Sequence, residues 1–151
     1  MAVKVIATNR KARYEYRFHD TIEAGLVLVG SEIKSIRAGR VSLREGFVLF
    51  EGGEAWLVNV HIAPYDPASV QNHEPKRRRK LLLHRREIDR LQRRVQEKGF
   101  TVVPTRLYLK DGRAKVEIAL ARGKKQYDKR QVIAERDSRR QVDRALKERY
   151  R

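Results

Sequence analysis

The sequence predicts a mainly β protein: a small antiparallel barrel of six short strands, about three short helical pieces and a basic C-terminal tail. Three observations carry that prediction. Apolar residues recur at every second position in several stretches, as with Val116, Ile118 and Leu120, the period of a strand with one face inward. Two pairs of such stretches meet at Gly52-Gly53 and Asp111-Gly112, dipeptides suited to hairpin turns. Helical periodicity is too scarce to supply the crossovers of a doubly wound parallel sheet.

The 151 residues include 36 Lys and Arg against 19 Asp and Glu, for a formal net charge of +17 and a pI near 10.7. The length suits one domain with an appendage, and the charge makes nucleic acid the first partner to consider. A membrane-surface protein needs an amphipathic helix with a broad apolar face, which the most basic segment lacks. There is no cysteine, which excludes a disulfide scaffold and a thiolate zinc site and fits a reducing compartment. The opening residues carry no signal-peptide apolar run, and no stretch nears the roughly 20 apolar residues of a membrane span. A soluble cytoplasmic protein is expected, monomeric when free, with no cofactor and no membrane partner.

Asn9-Arg-Lys-Ala-Arg13 is a basic cluster ahead of the first strand, in which Tyr14, Tyr16 and Phe18 alternate with Glu15 and Arg17 before a turn at His19-Asp20. Ile22 to Val29 follows, and Gly25 within it marks a bulge or a close backbone approach. Ser31 suits the N-cap of a short helix through Ile33 and Ile36, with Gly39 at its end. Ser42-Leu-Arg-Glu45 has capping-box spacing but the length of a turn. Phe47 to Phe50 and Trp56 to Ile62 form a hairpin in which Trp56, Val58, Val60 and Ile62 share a face, placing Trp56 in the core. Pro64 and Pro67 end it, and the loop that follows closes on Lys76-Arg-Arg-Arg-Lys80. Leu81 to Leu83 precede a helix from about Arg85 to Lys98, with Ile88, Leu91 and Val95 at helical spacing and Gly99 as its stop. The last two strands are residues 101–109 and 114–121. There Leu107, Leu109, Val116 and Ile118 face inward, while Tyr108, Lys110, Arg113 and Lys115 face out, an aromatic among cations suited to RNA. Such a set fits a barrel of the oligonucleotide-binding type, which leaves one face and its loops free for nucleic acid.

The chain changes character at Gly123. Beyond it apolar residues are sparse, chiefly Val132, Ile133, Val142, Leu146 and Tyr150. Good helix formers with so little to bury make a marginal helix in water. The expectation is a barrel domain over residues 1–122 and a tail over 123–151 that is disordered when free and helical against its partner.

No catalytic constellation emerges. Arg122-Gly-Lys-Lys lacks the upstream glycine and the hydroxyl of a phosphate-binding loop. His19, His61, His73 and His84 fall on separate elements without metal-ligand spacing. Glu87 and Asp89 sit among arginines, where solvated ion pairing is the simpler reading. The basic clusters at 9–13, 76–80 and 122–130 lie at strand ends or loops with little acidic compensation, where cations can converge on phosphates.

Several of these segments, in order and spacing, resemble the SsrA-binding protein, small protein B (SmpB), family. They are Asn9-Arg-Lys-Ala-Arg13, Glu23-Ala-Gly25, Glu32-Ile-Lys-Ser-Ile-Arg-Ala-Gly39, Val58-Asn-Val-His-Ile-Ala-Pro-Tyr65, Arg79-Lys-Leu-Leu-Leu-His84 and Ala119-Leu-Ala-Arg-Gly-Lys-Lys-Gln-Tyr-Asp-Lys-Arg130. The resemblance implies a non-enzymatic adaptor that binds the tRNA-like part of transfer-messenger RNA (tmRNA, or SsrA RNA) and delivers it to the A site of ribosomes stalled on messages without a stop codon. It also implies alanyl-tmRNA carried with elongation factor Tu, and a tail that probes the decoding centre and the empty message channel.

Carried over by position, the tmRNA-binding residues are Asn9, Arg10, Lys11, Arg13, Glu23, Gly25, Arg79, Lys80 and Leu82, joined by the outward Tyr108 and Lys110. The ribosome-contacting residues are Gly123, Lys124, Lys125, Tyr127, Asp128, Lys129 and Arg130. Tyr127 offers a ring to stack on an unpaired base, and Asp128 suits a helix cap. Residues 136–151 depart from relatives whose tails are mixed and contain aromatics. A general RNA-binding or structural ribosomal protein remains the alternative reading of the same charge, and an RNA-modifying enzyme a third.

Overall fold

The computed structural model describes residues 3–65, 72–97 and 99–123. The elements run β1 (Val3–Thr8), α1 (Arg10–Glu15), β2 (Tyr16–Leu26), α2 (Gly30–Arg37), β3 (Val41–Ser42), β4 (Phe47–Glu51), β5 (Glu54–Val58), β6 (His61–Ile62), β7 (Arg79–Leu82), α3 (Arg85–Val95), β8 (Phe100–Lys110) and β9 (Arg113–Gly123). Seven strands form one antiparallel sheet in the order β1-β8-β9-β2-β7-β5-β4, and β3 pairs with β6. The sheet curls until β4 packs against β8 and β3 against β1. Its concave side holds a core that includes Leu57, Val60, Leu81, Leu107, Val116 and Ile118, with Ile36 of α2 and Ile88 and Leu91 of α3.

The mainly antiparallel β architecture and the helices α2 and α3 follow the sequence pattern, and both hairpins form where expected, whereas α1 stands where a basic cluster leading into a strand is expected. The described residues hold nine strands, however, not six. β1 and β7 complete the sheet beyond the expected strands; β1 runs directly into the basic cluster at 9–13, and β7 is only four residues long and begins inside the basic run at 76–80. Asn9 overturns the expected approach to the first strand: its Oδ1 accepts from the Ala12 N–H at 3.0 Å and starts α1, so Tyr14 is helical. His19-Asp20 is a bulge inside an eleven-residue strand, not a turn. Ser31 does not cap α2; Val29 stands there and its N–H donates to Glu32. Trp56 is outside the core, because Ala55 and Leu57 are the buried residues of β5, and the Arg78 guanidinium stacks 4.7 Å from its ring centroid. The tail expected over 123–151 lies, apart from Gly123, outside the described residues.

One buried ion pair ties three segments together. Glu32 and Arg79 are both fully buried. Arg79 Nε donates to Glu32 Oε2 at 2.6 Å, Nη1 to the Val60 carbonyl at 2.7 Å and Nη2 to the Pro75 carbonyl at 3.1 Å. Arg77 Nη2 donates to Glu32 Oε1 at 2.6 Å. Burial pushes the Glu32 carboxyl up, but Arg77, the Val29 amide and Arg79 together hold it below the usual carboxylate range. A carboxyl depressed in the folded state contributes stability above its unfolded pKa, about 4.3, that is lost as pH falls through the folded value. Glu32→Ala leaves Arg79 buried without its counter-charge and is expected to cost about 3 to 5 kcal/mol at neutral pH. The gap from the parent protein should narrow below about pH 4. Urea unfolding across pH measures both, and a neutral-pH loss under about 1 kcal/mol would contradict the assignment.

Candidate nucleic-acid interface

The convex face of β1, β8, β9, β2 and β7 is where the register brings chemistry together. One row across the strands is Val5, Tyr108, Lys115, Gly25 and Leu82. The next is Thr8, Arg106, Glu117 and Glu23, and towards the β8–β9 turn comes Val3, Lys110 and Arg113. A bulge between Pro104 and Arg106 absorbs Thr105 and keeps these side chains in phase. α1 covers the other end of the face, where Ala12 packs with Val103 and Ala121 against Tyr16 and Phe18. What stays open is a platform bearing Arg106, Lys110, Arg113 and Lys115 around two acids, with Val3, Val5 and Leu82 exposed at its margins.

The two acids are held by neighbours on β8. Tyr108 donates its hydroxyl to Glu23 Oε2 at 2.6 Å, and Lys110 Nζ stands 3.4 Å from both carboxylate oxygens. The Tyr108 hydroxyl, with Lys110 and Lys115 behind it, keeps the Glu23 carboxyl below its usual range against the opposing effect of burial. Burial, and next the Glu23 carboxylate, push the Tyr108 phenol well above the usual tyrosine range, so it stays a donor. Thr105 Oγ1 donates to Glu117, and Arg106 Nη2 reaches it at 3.4 Å while the guanidinium lies 5.4 Å from the Tyr108 ring centroid.

The expected site residues divide into three groups. Glu23, Gly25, Leu82, Tyr108 and Lys110 meet on the platform, with Lys80 two positions from Leu82 on the same face and paired to Glu54 at 3.2 Å. Arg10, Lys11 and Arg13 lie on α1, where Lys11 donates to Glu45 at 2.5 Å. Asn9 is buried with its capacity spent internally: Nδ2 donates to the Leu43 and Pro104 carbonyls at 3.0 and 2.9 Å, so it acts by seating α1. With Asn9, two further residues are corrected. Arg79 is wholly buried in the ion pair and has no surface to offer a phosphate. Tyr108 points to the convex side as expected but is only 5% exposed, so its ring is no open stacking surface. Gly123 ends β9 opposite Tyr16; Lys124, Lys125, Tyr127, Asp128, Lys129 and Arg130 lie outside the described residues. The sequence reading missed Arg106 and Glu117. Alternation about Leu107 points to Arg106, whereas the meeting of Glu117 with Glu23 depends on a register that no local signal announces.

A second basic surface forms at the end of the sheet. Arg94 of α3 and Arg122 of β9 flank Phe100 at 4.9 and 4.4 Å from its ring centroid, and Arg90 pairs with Asp20 at 3.2 Å. Among the described residues, no group of three or more His, Asp or Glu could hold a metal ion, and no helix is long and apolar enough to cross a membrane.

A curled antiparallel sheet with a cationic, partly apolar convex face defines a protein of the nucleic-acid-binding β class. The family model described as SmpB protein matches residues 6–148, and the chain belongs to that family. It is 63% identical over 149 residues to an SsrA-binding protein of Roseiflexus castenholzii, covering 98% of this chain and 94% of the relative. It is 54% identical over 151 residues to an SsrA-binding protein of Pelotomaculum thermopropionicum, covering 100% and 99%. A chain from the solved structure "tmRNA-SmpB: a journey to the center of the bacterial ribosome" is 48% identical and superposes with a TM-score of 0.69 over 80% of this chain and 85% of that one.

The exposed Glu23 and the buried Asn9 separate on stability. Glu23 stands at the surface, so Glu23→Ala is expected to shift Tm by no more than about 2 °C. Asn9→Ala uncaps α1 and strands two buried carbonyls, and is expected to cost about 1 to 3 kcal/mol. Thermal and urea unfolding of both variants checks this; similar losses would refute the division.

Proposed function

We propose that this chain is an adaptor that binds the tRNA-like domain of tmRNA on the convex platform and brings it to stalled ribosomes. The observation that carries the reading is the Glu23 cluster: cations spread around a fixed carboxylate beside exposed Leu82. Lys110, Arg113, Lys115 and the α1 cations supply sequence-independent attraction to phosphates, while the acid among them, besides holding its neighbours, can accept from RNA only through a base or ribose donor. Membership of the SmpB family supports tmRNA as the RNA and the ribosome as the destination. The adaptor performs no covalent step of its own. Residues 1–122 act as the tmRNA-binding domain and 123–151 as the ribosome-engaging tail, in which Gly123, Lys124, Lys125, Tyr127, Asp128, Lys129 and Arg130 meet ribosomal RNA at the decoding centre.

The test is competition binding at about 0.2 M salt, where purely electrostatic binding is much reduced. The protein is expected to prefer the tRNA-like domain clearly over tRNA and over an RNA duplex of equal length. Equal, weak binding to all three would instead identify a general RNA-binding protein. Truncation after Arg122 is expected to leave affinity for the tRNA-like domain within about threefold of the full chain and to abolish peptide tagging on stalled ribosomes. Loss of both activities together would refute the division of labour.

A further inference from the structure

We propose that Glu23 reads a guanine base of the bound RNA and that Tyr108 is the residue that positions it; this rests on the RNA-binding reading above. Both groups that hold the Glu23 carboxylate come from β8, on one side of β2. On the other side, towards β7, no hydrogen bond or ion pair holds it among the described residues, and the side chain keeps 37% of its surface exposed. There Gly25 has no side chain and Leu82 leans across it: a Cβ at position 25 would lie 3.2 Å from Leu82 Cβ and 3.3 Å from Cδ1. Leu82 itself is 54% exposed. The result is an apolar shelf next to a fixed group, on which an unpaired base can lay its face while turning an edge to the carboxylate.

The chemistry of that group selects the edge. An ionised carboxylate has two acceptors and no donor, and Tyr108, Lys110 and Lys115 keep Glu23 ionised. Guanine presents two adjacent N–H donors, at N1 and N2, that match two oxygens. Adenine and cytosine set one amino donor beside a ring acceptor, and uracil sets one N–H between two carbonyls, so each would point a lone pair at the carboxylate. Tyr108 makes the choice sharper. Its buried hydroxyl fixes Oε2 at 2.6 Å, Lys110 approaches both oxygens from the same side at 3.4 Å, and the lone pairs turned towards β7 are left for the base.

The experiment uses the full chain and synthetic tRNA-like-domain RNAs in which unpaired guanosines are replaced one at a time by inosine, which lacks only the 2-amino group. One replacement is expected to weaken binding of the parent protein about ten- to a hundredfold, the effect of one hydrogen bond to a charged group. The same replacement is expected to weaken Glu23→Gln binding less than it weakens the parent, because a neutral amide offers one acceptor oxygen in place of two charged ones. Tyr108→Phe should show a smaller inosine penalty with Tm within about 2 °C of the parent, a pattern that a merely structural tyrosine would not produce. Uniform affinity of the parent protein for every inosine RNA, or an equal penalty in Glu23→Gln, would overturn the guanine assignment while a retained preference for the tRNA-like domain kept the proposed function standing. Loss of that preference in the parent protein would overturn both.

Discussion

The pairing of β2 with β9 is the constraint on which the rest of the molecule depends. It runs from Tyr16–Gly123 to Gly25–Lys115 and is broken only by the bulge at His19. A slip of one residue would send every side chain to the opposite face. Ile118 and Leu120 would leave the core, and Glu23 would leave the convex face. The same pairing sets Gly25 between Leu82 and Lys115, and stations the start of β2 so that α1 folds back on Ala121. Core and candidate interface are thus two faces of one register.

Charge is managed in two ways, and the difference is solvent. Inside, Glu32 and Arg79 carry full charges in a setting where desolvation is costly, and they are tolerated because each of the three guanidinium nitrogens finds an acceptor. The pair joins α2, the link between β5 and β6, and β7, which short strands alone would hold loosely. Outside, Lys80–Glu54 and Arg90–Asp20 are half-exposed pairs of the kind that contribute little to stability. Their cations stay available to a polyanion that offers more charge than a single carboxylate. The surface is electrostatically prepared for RNA, and the interior uses the same residue types as cross-links.

Much of this was legible beforehand. The two hairpins, the helix with Ile88 and Leu91 inward, and the role of Gly25 as a place of close approach follow from local patterns that survive folding. Trp56 was misplaced because the run from Trp56 to Ile62 reads as one strand, whereas the backbone turns at Asn59, whose φ is 62°, and shifts the phase between Trp56 and Val60. Arg79 looked like one more member of a basic run, and nothing local distinguishes it from Arg78, which stays at the surface. Tyr108 falls on the expected face but with less accessibility than expected, since Glu23, 85 residues away in the chain, closes over it beside the neighbouring Arg106.

By itself the sequence determined the class of structure and the class of partner: alternation, turn dipeptides and a charge of +17 act locally or by summation, so they can be read without coordinates. Only the tertiary structure decided which cations are buried, which aromatic stacks and which carboxylate stands among the lysines. Those facts depend on cross-strand neighbours such as Tyr108 and Glu23, which are 85 residues apart. Register and burial are set by the packing of the whole sheet, and no segment of the chain carries that information alone.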